Sequence, residues 1–293
     1  MPEPLIIDDI GPSLQAMTNL GRQLLDSSVG RLRNAVHGFA TRRRWAVVKH
    51  SSFSAWARQV AVETGLQWLM LDPLIPATAD GVWWPLRVSR VHDAGKTFLT
   101  GSIVSGLGGR IDLASSTGLM GIVDDASSSG STLRAVFQAA MASGLSIKHV
   151  LVCASTRLAR EALTQTDREL RWSDHVPGDW RILHLRDGCP FLPFSGRATG
   201  ALVHLKSASL EVRVPSTRLN GHLWQVMYMD REVRAANDAM YAEIPKRLSE
   251  YLGRPAIVAD LSLLSSAGNV AQTTDDAMIS ASTLLEPLYQ TPR

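Results

Sequence analysis

Cysteine is almost absent. The 293 residues hold two, Cys153 and Cys189, far apart and in no C-x-x-C arrangement. Neither a disulfide framework nor a cysteine-ligated zinc is expected, and a reduced, cytoplasmic setting is. Long apolar runs are missing as well. None approaches the roughly 18 residues that span a bilayer, which argues against a membrane partner. The opening MPEPLIIDDIG has acids where a secretory leader carries basic residues, in line with a cytoplasmic protein. Charge of one sign is scarce: the net charge is +3 and the pI about 9.1. That excess is too small to call for nucleic acid on its own. The eight histidines show no H-x-x-x-H or similar metal spacing. No internal repeat and no low-complexity tract interrupts the chain.

What is present can bury a sizeable core, since 45% of the residues are hydrophobic. The length suits one large domain, or one domain with a substantial extension. Residues 13–40 repeat Leu14, Met17, Leu20, Leu24 and Leu25 at helical spacing. Arg42, Arg43 and Arg44 follow; a solvated run before a strand accounts for them better than nucleic-acid contact does. An alternation then begins. Strands are expected over WAVV (45–48), QWLMLDPLI (67–75), GLMGIV (118–123) and KHVLVCAS (148–155). Helices are expected over 53–65 and 133–144, the second closed by Gly144. Strands alternating with helices of about a dozen residues predict βαβ units and a parallel sheet of about five strands. Residues 76–117 make a connection too long to be a simple crossover. Beyond 155 the pattern weakens: 209–214, 223–229 and 255–264 read as strands, and 230–253 as a helix interrupted or kinked at Pro245.

The stretch IVDDASSSGSTL, 122–133, carries the chemistry. Apolar residues lead into Asp124 and Asp125; then come Ala126, Ser127, Ser128, Ser129, Gly130, Ser131 and Thr132, and a helix. In an open α/β sheet ligands bind at the carboxyl ends of the strands. A helix start offers free N–H groups and a partial positive charge to a phosphate. The hydroxyls add donors, and Gly130 lets the backbone come close. Two carboxylates repel phosphate but accept hydrogen bonds from a diol, or hold a divalent cation. One ligand with a phosphate at one end and a sugar diol at the other fits both halves. The stretch lacks the G-K-S or G-K-T of a P-loop.

This stretch resembles the PRPP-binding signature of the type I phosphoribosyltransferases: an apolar strand, two acids, three intervening residues, then Thr or Ser, Gly, any residue and Thr. Ala126, where the family has a larger aliphatic, and Ser129, where Thr is commoner, depart from it. The resemblance implies an α/β fold of that family's Rossmann-like type, with a parallel sheet flanked by helices and extensions at both ends. It divides the chain into a helical extension at 1–40, a core at 41–160 and a hood or extension at 161–293. It implies transfer of a phosphoribosyl group, a pentosyltransferase reaction, with PRPP or a nucleotide as ligand and Mg²⁺ as cofactor. Asp124 and Asp125 are then the catalytic acids, holding the ribose hydroxyls and through them or through water the metal, while Ala126–Thr132 bind the PRPP phosphate.

Further family features rest on order along the chain. A pyrophosphate loop corresponds to Lys49, His50, Ser51 and Ser52, where a plain strand-to-helix turn capped by serine is the other reading. A closing loop corresponds to 76–117, with Lys96 and Arg110 as cations for pyrophosphate and Arg87 and Arg90 behind them. GLGGR (106–110) has phosphate-loop composition without a strand before it. Arg197 lies in a Pro/Gly-rich turn, and Asp275 and Asp276 read as the first turn of a helix. The resemblance names neither the acceptor nor a general base. A regulatory or partner-dependent protein that binds PRPP without transfer is the alternative; no helix-turn-helix is evident, and nucleic acid remains unsupported. Oligomerisation or a protein partner would act through the extensions.

Overall fold

The computed structural model describes residues 2–75, 83–85, 90–93, 96–99, 119–142, 144–165, 169–189, 191–192, 221–256, 260 and 263–264. In chain order the elements are β1 (Glu3–Asp8), α1 (Ile10–Gln15), α2 (Asn19–Arg43), β2 (Ala46–Lys49), α3 (His50–Thr64), β3 (Gln67–Met70), β4 (Trp83–Pro85), β5 (Arg90–Asp93) and β6 (Lys96–Leu99). They continue with β7 (Leu119–Ser127), α4 (Ser131–Ala142), β8 (Ser146–Ser155), α5 (Arg157–Thr164), β9 (Arg171–Asp174), β10 (Trp180–His184), a 3₁₀ turn (Leu185–Gly188), α6 (Gly221–Tyr228) and α7 (Arg231–Leu252). The chain divides into two compact units, one of Met1–Glu3 and Val48–Ile182, the other of Pro4–Val47 and Leu183–Arg293. Among the described residues no helix is long and apolar enough to cross a membrane.

The first unit contains a five-stranded sheet in the order β4-β3-β7-β8-β9. Every neighbouring pair is parallel, so the expected α/β architecture with a parallel sheet is present. Both faces are buried, as an all-parallel sheet requires. Alternation along each strand sorts the side chains. Leu69, Ile122 and Val150, in register across three strands, join Leu133, Val136, Phe137 and Ala140 of α4 in one apolar cluster. The expected helix over 133–144 is α4, and Leu145 N reaches back to the Ala140 carbonyl beyond it.

On the opposite face one row of residues decides how close the strands' side chains pack. Trp68, Gly121 and His149 are in register. The Trp68 indole lies over Gly121, where a Cβ would fall 2.3 Å from the ring. Trp68 stacks on Trp83 at 6.2 Å and touches the His149 ring at 5.5 Å. Gly121 thus exists to make room for an indole that is completely buried. His149 Nε2 meets Ser173 Oγ at 2.9 Å.

The second unit is built on α2 and α7, whose apolar faces (Leu25, Val29, Leu32 and Val36 against Met240, Tyr241, Ile244 and Leu248) form one core with α6. The expected single helix over 13–40 is two, because Thr18 interrupts it and caps α2 by accepting from Gly21 N at 3.0 Å. α7 runs through Pro245 without interruption, correcting the expected break. Pro245 is buried among apolar neighbours, so packing offsets the one helical bond it cannot donate. Residues 223–229 form helix α6 and not a strand. Leu223 and Met227, four apart and both buried, lie on one helical face, while the aromatic content alone read as β. The described residues of 255–264 form no strand, and 209–214 lie outside the described residues. The strand expected over 45–48 exists as β2. It belongs to a three-stranded sheet in the order β10-β1-β2, with a first strand, β1, that the sequence reading did not foresee.

Burial, with the Arg171 guanidinium nearby, holds the His149 imidazole down at about 4 against an ordinary 6.5. It folds neutral, whereas the unfolded chain takes up a proton near pH 6.5. Its stability contribution is therefore intact above that pH and lost as the pH falls toward about 4. Between about pH 7 and about pH 4 the protein should lose about 2–3 kcal/mol more unfolding free energy than its His149→Gln variant, measured by urea denaturation.

Candidate functional site

Because all five strands are parallel, their carboxyl ends share one edge. β7 reaches that edge later than expected. It runs past Val123 through both acids to Ser127, held to β8 by the registers Asp124↔Val152, Ala126↔Ala154 and Ser127↔Ser155. Asp124 and Asp125 are buried, 9% and 8% exposed. Alternation sets Asp124 on the face of Ile122 and Asp125 on the face of Val123. Asp125 N donates to Asp124 Oδ1 at 3.0 Å. The two carboxylates thus straddle the end of one strand.

The loop that follows is clamped to the start of α5. Thr156 N donates to the Ser127 carbonyl at 3.0 Å, and Thr156 Oγ1 donates to the Ser128 carbonyl at 2.5 Å. The same hydroxyl caps α5 by accepting from Ala159 N at 3.1 Å. Gly130 turns the chain with φ +70°, and a Cβ there would stand 3.1 Å from the Ala159 carbonyl oxygen. Both facts call for glycine. The Gly130 carbonyl accepts from Arg134 N at 2.8 Å and opens α4. The first-turn N–H groups behind it have no acceptor within the helix. Ser129 Oγ donates to Ser131 Oγ at 3.0 Å and receives Ser131 N at 3.4 Å. Thr132 Oγ1 is buried and has no hydrogen-bond partner among the described residues. A buried hydroxyl without a partner is costly unless something else supplies one.

α3 begins at the same edge. His50 is buried, and its Nε2 meets Asp72 Oδ2 at 2.5 Å, just past the end of β3. Ser52 Oγ meets His175 Nε2 at 3.3 Å, just past the end of β9. In the sheet β7 and β8 lie between those strands. The start of α3 therefore lies across the ends of β7 and β8. Lys49 and Ser51 are exposed there, and Ser52 Oγ donates to the Lys49 carbonyl at 2.7 Å. Residues 49–52 follow a strand of the three-stranded sheet and not the first strand of the parallel one, so order along the chain was the wrong reason for placing them at the edge; the contacts to Asp72 and His175 are the right one.

Sequence reasoning missed Asp72, Thr156 and His175. Asp72 was legible: an acid closing an apolar strand before a proline belongs to the same edge as Asp125. It accepts from Leu74 N at 3.0 Å and so shapes the turn that leaves β3. Thr156 resembled the end of a strand, and His175 had no local pattern. Lys96 lies in β6, which pairs antiparallel with β5 holding Arg90. Arg87, Arg110, the 106–110 run, Arg197, Asp275 and Asp276 lie outside the described residues. Among the described residues no group of three or more His, Cys, Asp or Glu side chains is placed to hold a metal ion. Compared with protein-family models, with curated proteins and with solved structures, the chain matches none.

Gly130→Ala should lower stability by about 1–2 kcal/mol, the cost of a left-handed turn with a Cβ, with a further loss from crowding at Ala159. Chemical denaturation of the single variant measures it.

Proposed function

We propose that the chain binds a ribose 5-phosphate ligand, PRPP or a nucleotide, at the carboxyl edge of its parallel sheet and transfers the phosphoribosyl group. The observation that carries this reading is the buried, unpartnered Thr132 hydroxyl in the first turn of α4. It follows Asp124 and Asp125 on the same strand and loop. A 5-phosphate at this turn would accept from that hydroxyl and from the helix N–H groups. Asp124 and Asp125, on the strand that feeds the loop, would accept from ribose hydroxyls. The exposed Lys49 and Ser51 at the start of α3 would face the pyrophosphate.

The donor set suits Mg²⁺ on two counts. Carboxylate oxygens are hard ligands, and a magnesium ion characteristically takes one or two of them and completes its shell with water and substrate phosphates. When bound, the ion would supply charge neutralisation for the departing pyrophosphate. The chain's own residues would orient the sugar: the α4 turn at the phosphate end, the acids at the diol, the α3 start on the opposite side. Departure of pyrophosphate ahead of full bond formation leaves positive charge on the sugar ring, and buried carboxylates near the diol would stabilise it.

Isothermal calorimetry with PRPP and Mg²⁺ should show one site. Asp124→Asn and Asp125→Asn should each weaken it by about 10–100-fold, the loss of charged hydrogen bonds. Wild-type protein that takes up neither PRPP nor ribose 5-phosphate would remove the reading. Binding without pyrophosphate release across a broad panel of nitrogenous acceptors would favour the sensor over the transferase.

A further inference from the structure

We propose that His175 is the general base of this edge, receiving through Nδ1 the proton of the acceptor that attacks C1 of the sugar phosphate. The proposal rests on the phosphoribosyl reading and supplies the group that the resemblance did not name. The hydrogen-bond pattern points to one tautomer. Ser52 has one hydroxyl hydrogen, and it goes to the Lys49 carbonyl at 2.7 Å. The same oxygen lies 3.3 Å from His175 Nε2. That second contact needs its hydrogen from the ring, so Nε2 carries it and Nδ1 keeps its lone pair.

The ring is packed against α3 beside this contact. Trp56 lies against it at 5.3 Å between ring centres and Phe53 at 6.2 Å. Its backbone is part of the edge, because His175 N donates to the Val152 carbonyl at 2.9 Å. Val152 is in register with Asp124 on the next strand. His175 therefore stands two strand spacings from the acids along the same edge, about 10 Å.

The charged groups on the surrounding elements are committed elsewhere or solvated. Asp174, its neighbour in the chain, is turned to Ser155, Arg160 and Trp172. On α3, His50 is turned to Asp72, and Lys49 at the helix start is exposed. Burial pushes the His175 imidazole below its ordinary value, toward the neutral form a base requires. In the step, the acceptor's lone pair forms the bond to C1 as the bond from C1 to the pyrophosphate oxygen breaks. That electron pair leaves on pyrophosphate. The acceptor's proton passes to Nδ1, and the resulting imidazolium returns it to water. Ser52 and Trp56 are positioning residues that act through the ring.

The test follows pyrophosphate release from PRPP and Mg²⁺ with water as the acceptor, from about pH 5 to about pH 9, beside calorimetry of PRPP binding. His175→Gln keeps a donor for Ser52 and lacks the base. It should bind PRPP within about twofold of wild type, release pyrophosphate about 100-fold more slowly or worse, and lose the acid limb of the pH profile. Release within about threefold of wild type, or a slow variant that keeps the acid limb, overturns the proposal. So does wild-type protein that binds PRPP and releases nothing. Absence of PRPP binding by wild type is a separate result, read by calorimetry alone, and removes the phosphoribosyl reading beneath it. Nitrogen NMR of the ligand-free wild type adds a readout that does not depend on turnover: hydrogen on Nε2 is expected, and hydrogen on Nδ1 overturns the assignment.

Discussion

The edge of the sheet depends on one close approach, that of Gly130 to the Ala159 carbonyl. A left-handed glycine with no Cβ lets the start of α5 press against the loop after β7. Thr156 then reaches two successive loop carbonyls, Ser127 and Ser128, while capping its own helix. Those contacts aim the first turn of α4 and leave the Thr132 hydroxyl buried beside it. A larger residue at 130 is strained by the positive φ and makes the Ala159 carbonyl give by a few tenths of an ångström. Stability and loop geometry are coupled at this point: the contact that closes the fold is the one that sets the first turn of α4.

The second support is the start of α3, held at two places in one sheet edge. The His50–Asp72 pair ties it to the end of β3, and the Ser52–His175 contact ties it to the end of β9. The strands between carry the acids and Ser155. A helix N-terminus laid over two strand ends brings a second set of unsatisfied N–H groups to the same edge. Two helix starts and two buried carboxylates form an environment of mixed sign. The proposed ligand, with phosphates and a diol, would meet both signs.

Much of this was legible in the residues, for reasons that differ from place to place. The apolar runs 118–123 and 148–155 announced buried strands, and DDASSSGSTL announced a strand, turn and helix start with opposite electrostatic preferences. The strand through Asp124–Ser127 was not legible, because its extension is set by pairing with β8 and the reach of Thr156. Residues 45–48 were rightly read as a strand, but which sheet they join is decided by long-range pairing that periodicity does not encode. In 223–229 the rings and branched side chains outweighed the four-residue spacing of Leu223 and Met227. His175 depends on contacts more than 120 residues apart in sequence, beyond the reach of any local pattern.

The central claim is that the first turn of α4 holds the phosphate of a ribose 5-phosphate. A crystal structure of the chain with ribose 5-phosphate and Mg²⁺ tests it most directly. The account predicts phosphate oxygens within about 3 Å of Thr132 Oγ1 and of the first-turn N–H groups, with the ribose hydroxyls toward Asp124 and Asp125. A ligand bound elsewhere on the molecule, with Thr132 Oγ1 still lacking a partner, would contradict it.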